Sequence, residues 1–281
     1  MIEQQFKNHM SSVGMITKED IIAGGVLHRI HLNGDKPNSK NGWYVLYGDG
    51  VPAGSFGDWK TGKHYNWCAK DEHELTPQER EDLSKRVEEA KHQRAIEDRR
   101  IKSETKKKAH DLWGNSFAAS PNHPYLQAKS VQPHNTRQSG DRLVIPMQDI
   151  EGEIHSLQFI FPDGKKRFLK GGRKKGCFTL IGIPTSTLAI CEGYATGASI
   201  YESTGLPVAI AFDAGNLLSV SKSLRTRYPD IDIVICADND TETDGNPGVT
   251  KAKEAALAIG ARLAIPPVSG DFNDYYRGLK K

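Results

Sequence analysis

Glu192, Asp238 and Asp240 stand where chemistry, rather than packing, would put an acid. Glu192 follows the apolar run Leu188-Ala189-Ile190-Cys191, and Asp238 and Asp240 follow a second such run, IDIVICA. Side chains two residues apart at the end of an extended strand point the same way, so Asp238 and Asp240 can share one hard cation, with Glu192 completing the cluster. Carboxylates gathered without a cation repel one another and raise each other's pKa, which makes a divalent ion their natural partner. Donor sets made only of oxygen favour magnesium or manganese over zinc. An isolated Asp-x-Asp can also arise where acids merely cap the next helix. The matching Glu-Gly after a separate strand favours the metal.

The elements that must position these acids alternate from Leu188 onward. LAICEG reads as a strand, YATGASIYESTG as a helix ending at Gly205, PVAIAF as a strand closed by Asp213, and NLLSVSKSLRTRYP as a helix. IDIVICADND is then a strand, PGVTKAKEAALAIG a helix ending at Gly260, and ARLAIP a last strand. Continuous apolar strands separated by amphipathic helices predict a parallel sheet covered on both faces. Acids at the carboxyl ends of such strands lie where ligands of open sheets bind.

Upstream, alternation in Leu143, Ile145 and Met147, and again in Leu157, Phe159 and Phe161, predicts antiparallel strands around turns at Glu151-Gly152 and Asp163-Gly164. The stretch GKKRFLKGGRKK follows, and its Lys165, Lys166, Arg167, Lys170, Arg173, Lys174 and Lys175 have no acid among them. With Arg142, they are the candidate phosphate contacts, on a hairpin arm and the loop behind it.

Residues 42–67 read as short strands broken by glycines, with Gly48-Asp49-Gly50 as a turn. Trp43, Tyr44, Tyr47, Phe56, Trp59, Tyr65 and Trp67 either stack on single-stranded bases or form the core of this unit. Thr76-Pro77-Gln78-Glu79 opens a helix with a capping threonine and a proline at its first position. Its apolar positions (Leu83, Val87, Ala90, Ile96, Ile101) are sparse, so a solvated linker is expected; Lys106, Lys107 and Lys108 form a wet face or touch a phosphate backbone.

The composition is that of an ordinary folded protein, with 37% hydrophobic and 26% charged residues. The net charge of +3 says little by itself about a polyanionic partner. Cys68, Cys177, Cys191 and Cys236 lack the paired spacing of a zinc or redox site. No apolar run approaches the ~18 residues of a membrane span, and MIEQQFKNHM lacks a signal-peptide core, so the expected location is the cytoplasm, with no membrane partner.

Strand-Glu-Gly followed by strand-Asp-x-Asp, here ICEGYATGASI and ICADNDTETDGNPG with GDFNDYY beyond, resembles the Toprim domain of bacterial primases, topoisomerases and some nucleases. The upstream blocks HPYLQAKSV, GDRLVIPMQDIEGEIHSLQFI and DGKKRFLKGGRKKG resemble the basic half of the polymerase core in primases of plasmids, prophages and other mobile genetic elements. The resemblance implies an α/β architecture: a Toprim-like parallel sheet flanked by helices (186–281), preceded by a basic α+β subdomain (116–185), a charged helical linker (76–115) and a small β-rich N-terminal unit (1–75). It further implies a DNA primase, a DNA-directed RNA polymerase type nucleotidyltransferase of DNA replication, that makes short primers with a magnesium- or manganese-dependent site. Glu192, Asp238 and Asp240 would be catalytic and metal-binding, with Asp271 and Asp274 as supporting acids at the metal. Its partners would be a single-stranded DNA template and nucleoside triphosphates. The chain has neither a zinc ribbon nor a P-loop, so any replicative helicase that serves it is a separate chain. The alternatives are a Toprim-type metal-dependent nuclease and a catalytically idle DNA-binding accessory of replication.

Overall fold

The computed structural model describes residues 1–279, so the last two residues of the expected 186–281 domain lie outside the described residues. The chain divides into two units, one from Met1 to Arg100 and one from Ile101 onward.

The first unit begins with helix α1 (Ile2–Ser12) and continues with strands β1 (His28–Ile30), β2 (Gly42–Tyr47), β3 (Ala53–Asp58) and β4 (His64–Cys68), an antiparallel sheet in that order. Its core gathers Phe6 and Met10 of α1 with Tyr44, Leu46 and Phe56 of the sheet. Trp43, Tyr44 and Phe56 are buried, which makes them core, while Tyr47, Trp59, Tyr65 and Trp67 are partly exposed. Helix α2 (Pro77–Gly114) starts as its sequence dictates: the Thr76 hydroxyl accepts from the Glu79 N–H, and the Glu79 carboxylate accepts from the Thr76 N–H. This reciprocal bond satisfies two donors that a helix start otherwise leaves open. The helix is more than a solvated linker. Within the first unit Ala90 is buried and Arg94 lies over the rings of Trp43 and Trp59.

In the second unit the end of α2 covers one face of an antiparallel sheet made of β5 (Phe117–Ala118), β6 (Arg137–Ser139), β7 (Arg142–Gln148), β8 (Ile154–Ile160) and β9 (Lys166–Phe168), in that order. Ala109, Leu112 and Trp113 pack there against Val144, Leu157 and Phe159. Helix α3 (Pro124–Lys129) is short, capped by the His123 side chain, and buries Tyr125 and Leu126.

The remaining elements are β10 (Thr179–Ile181), β11 (Thr187–Cys191), α4 (Tyr194–Thr204), β12 (Val208–Ile210), α5 (Ala214–Arg227), β13 (Asp232–Cys236), α6 (Pro247–Ile259), β14 (Arg262–Ala264) and α7 (Phe272–Leu279). The sheet runs β10-β12-β11-β13-β14, parallel except for β10, an antiparallel edge on β12 that the sequence pattern did not announce. Alternate strand residues serve two cores. Ala189, Cys191, Val208 and Ile210 pack with α4 and with Leu143, Ile145 and Met147 of β7, whereas Leu188, Ile190, Ala209, Ile233 and Ile235 pack with α5 and α6. The expected α/β sheet flanked by helices is therefore present, with the basic antiparallel sheet as part of one flank.

Candidate active site

The parallel strands β11, β12 and β13 all end on the same side, because parallel neighbours share direction. Glu192 leaves β11, the central one of these, Asp213 follows β12, and Asp238 and Asp240 follow β13. The acids are close enough to act on one another. Burial, and then the charges of Glu192, Asp271 and Asp240, push the Asp238 carboxyl up to about 7. Glu192 is raised by burial and by Asp213 and Asp240, against the Ala214 N–H that donates to it. Lys166, reaching from β9, pulls both acids down. A Cβ built on Gly193 would lie 3.9 Å from Lys166 Nζ, which puts the ammonium directly beside the Glu-Gly turn.

Asp238 Oδ1 is buried with no hydrogen-bond partner. A carboxylate oxygen held this way, among like charges, fits a cation. Among the described residues no three His, Cys, Asp or Glu side chains form a ready metal cage. Magnesium does not require one, since it commonly binds through one or two carboxylates and completes its shell with water and substrate phosphates.

The frame around Asp238 is tight. Asn239 exchanges backbone hydrogen bonds of 2.9 Å with Gly270, and its amide donates to Pro266 O and Val268 O. Asn246, which caps α6, accepts from the Asp240 N–H at 3.1 Å and donates to Asn239 Oδ1 at 2.9 Å. Asp271 Oδ1 accepts from the Asp274 N–H at the start of α7, and its Oδ2 accepts from the buried Thr196 hydroxyl at 3.0 Å. Asp274 is 3.8 Å from Lys129 and from Arg277. Beneath the acids, Cys191 and Cys236 are buried; burial drives Cys191 far above the thiol range and Cys236 up to about 12, so both remain thiols.

The basic run does not act as one patch. Cross-strand partners share a face, and the register pairs Ile160 with Lys166, Gln158 with Phe168, and Phe159 with Arg167. Lys166 and Phe168 thus share the face of Ile160, which joins the core under the parallel sheet. Arg167 shares the other face with Phe159 and lies over Phe161, and Arg142 lies over Phe159 at 4.5 Å. Lys165 pairs with Asp163 in its own turn, Arg173 stands 3.5 Å from Asp149, and Lys174 pairs with Asp213 at 2.6 Å. Lys170 and Lys175 are exposed. Asp213, noted in the sequence at the end of PVAIAF but left out of the predicted acid cluster, is thus paired with Lys174 and near enough to Glu192 to raise its carboxyl.

Residues 187–279 match the Toprim domain family. The resemblance read from the Glu-Gly and Asp-x-Asp strands is borne out. Beyond the Toprim segment, the chain is similar to two Escherichia coli proteins, each named DNA primase TraC: 35% identical over 99% of this chain and 27% of that protein, and 34% identical over 98% of this chain and 20% of that protein. The chain thus spans about a quarter and a fifth of the length of these relatives. A solved structure it resembles is the primase fragment of the bacteriophage T7 primase-helicase, with a TM-score of 0.43 and 13% identity over 58% of this chain and 76% of that one. No helix among the described residues is long and apolar enough to cross a membrane.

Proposed function

We propose that this chain is a DNA primase that extends short primers on single-stranded DNA from nucleoside triphosphates. The observation that carries the reading is the meeting of Lys166, from the basic hairpin, with Glu192 and Asp238 at the strand ends. A nuclease needs the acids, but an anion-binding cation held opposite them suits a triphosphate substrate.

In this reading Glu192, Asp238 and Asp240 hold magnesium or manganese, with Asp271 and Asp274 as supporting acids, Asp271 oriented by Thr196. When bound, the metal polarises the α-phosphate and screens the charge that develops during in-line attack. Lys166 binds the triphosphate. Lys174, released from Asp213, together with Lys165, Lys170, Arg173 and Lys175, neutralises the phosphates leading to it. Arg142 and Arg167, on the opposite face, serve the template backbone away from the reacting centre. The protein acts in the cytoplasm.

The test is incorporation of labelled ribonucleotides on a single-stranded template, with and without magnesium. The intact protein is expected to make short, magnesium-dependent products. Changing Asp238 and Asp240 together to Ala should reduce them about 100-fold or more while single-strand binding persists, because the substitution removes cation ligands and leaves the basic residues in place. Degradation of the template without synthesis would establish a nuclease instead, and tight binding with no chemistry would mark an accessory protein.

A further inference from the structure

We propose that Phe168, braced by Phe212, is the platform on which a nucleobase stacks while its phosphates run along Lys166 toward the acids. The inference rests on the nucleotide-transfer reading above and specifies how the substrate is held.

A single exposed phenylalanine is ordinary on a protein surface, so exposure alone decides nothing. Phe168 is 39% exposed, however, on a strand whose other residues are Lys166 and Arg167, and it shares the face of Lys166. Its ring meets that of Phe212 edge to face, with centroids 6.3 Å apart and planes at 85°. Phe212 sits directly before Asp213 with φ at +72°, a conformation that bulky L residues rarely adopt. Such backbone clusters at ligand sites, where the surroundings hold it in place. Here it delivers a buried ring from the end of β12 to the Phe168 ring, so the aromatic pair joins the two sheets beside the acids.

The cations complete the picture. Lys174 Nζ stands 5.2 Å from the Phe168 centroid and is paired with Asp213. An ammonium over an aromatic face occupies the position that a base would take, and every base presents a π-face that can replace it. Displaced, Lys174 can follow the phosphates. The shared chemistry is a base attached to phosphate, from either of two sources: a free nucleotide or a residue of a bound strand.

The experiment measures calorimetric binding to the full chain of four probes: ATP, inorganic triphosphate, an oligothymidylate, and an abasic strand of equal length. The intact protein should prefer ATP to triphosphate, or oligothymidylate to the abasic strand, by about tenfold, the scale of one base-aromatic stack. Phe168→Ala and Phe168→Leu should abolish that preference without weakening the base-free probe, and Phe168→Trp should retain it. Leu keeps a branched apolar side chain without a π-face, which separates stacking from folding. The pair that loses its preference identifies the source. An unchanged preference in both pairs overturns the platform, as does equal weakening of probes with and without a base. If the intact protein binds neither ATP nor triphosphate, nor either strand, the nucleotide-transfer reading itself fails and takes the platform with it.

Discussion

Asp238 shows how a proposed metal ligand opposes the fold that carries it. Its carboxyl titrates near 7 in the folded chain, against about 3.9 for an unfolded aspartate. Between these values the folded state holds a proton that the unfolded state has released, so the contribution of Asp238 to stability falls as pH rises from about 4 to about 7, and above 7 the full penalty applies. A gap of this size is worth on the order of 4 kcal/mol. Asp238→Asn should therefore melt higher than the metal-free parent at pH 8 by several degrees and match it near pH 4, where both side chains are neutral. Magnesium should narrow the gap at pH 8 by stabilising only the parent. Melting curves at the two pH values check this, and a variant less stable than the parent at pH 8 would show that the carboxylate is paired. The acids themselves were legible in the sequence because apolar runs end at them. Phe212 was not, since a positive φ at a phenylalanine leaves no mark in composition or period.

Elements set the aim of these side chains. Helix α6 begins Pro247-Gly248, and a Cβ at Gly248 would lie 2.4 Å from the backbone oxygen of Asp238, which cannot swing aside as a side-chain tip could. Gly248→Ala should push the loop after β13 outward, cost about 1–3 kcal/mol of stability, and lower magnesium-dependent synthesis by more than the loss of stability explains. Circular dichroism melts beside product yields would test it, and full activity would mean that the loop tolerates the shift. The hairpin teaches a related lesson about reading charge runs. Lys165, Lys166 and Arg167 look like one patch in sequence, yet a strand sends neighbours to opposite faces, so Lys166 meets the acids while Arg167 lies over Phe161. The alternation of β7 and β8 was legible, and carrying it one strand further would have divided the run. Strand β10 was not legible. With only Thr179–Ile181 it has too few residues for a period, and its place is set by pairing with β12.

At the scale of the whole molecule, the division of the chain falls inside α2, between Arg100 and Ile101. A helix with so few large apolar residues reads as a linker, but small residues let it approach a sheet closely. Ala109 is fully buried, and Leu112 and Trp113 pack with it against the β7–β8 face. Arg137 ties the helix end down twice: its guanidinium donates to Trp113 O at 2.6 Å and lies 4.5 Å over the Trp113 ring. The end of α2 therefore belongs to the core of the second unit. A fragment of residues 101–281 should melt in one cooperative transition. A fragment of residues 116–281 loses Ala109, Leu112 and Trp113 together, a deletion at least as costly as truncating a core tryptophan, about 3–5 kcal/mol. It also uncovers Val144, Leu157 and Phe159 as a contiguous apolar patch, which should make it self-associate. Thermal melts and sedimentation of the two fragments decide the matter. Equal melting temperatures with both fragments monomeric would reduce α2 to the linker its sequence suggests, whereas the expected difference makes its last turns a required wall of the hairpin that presents Lys166.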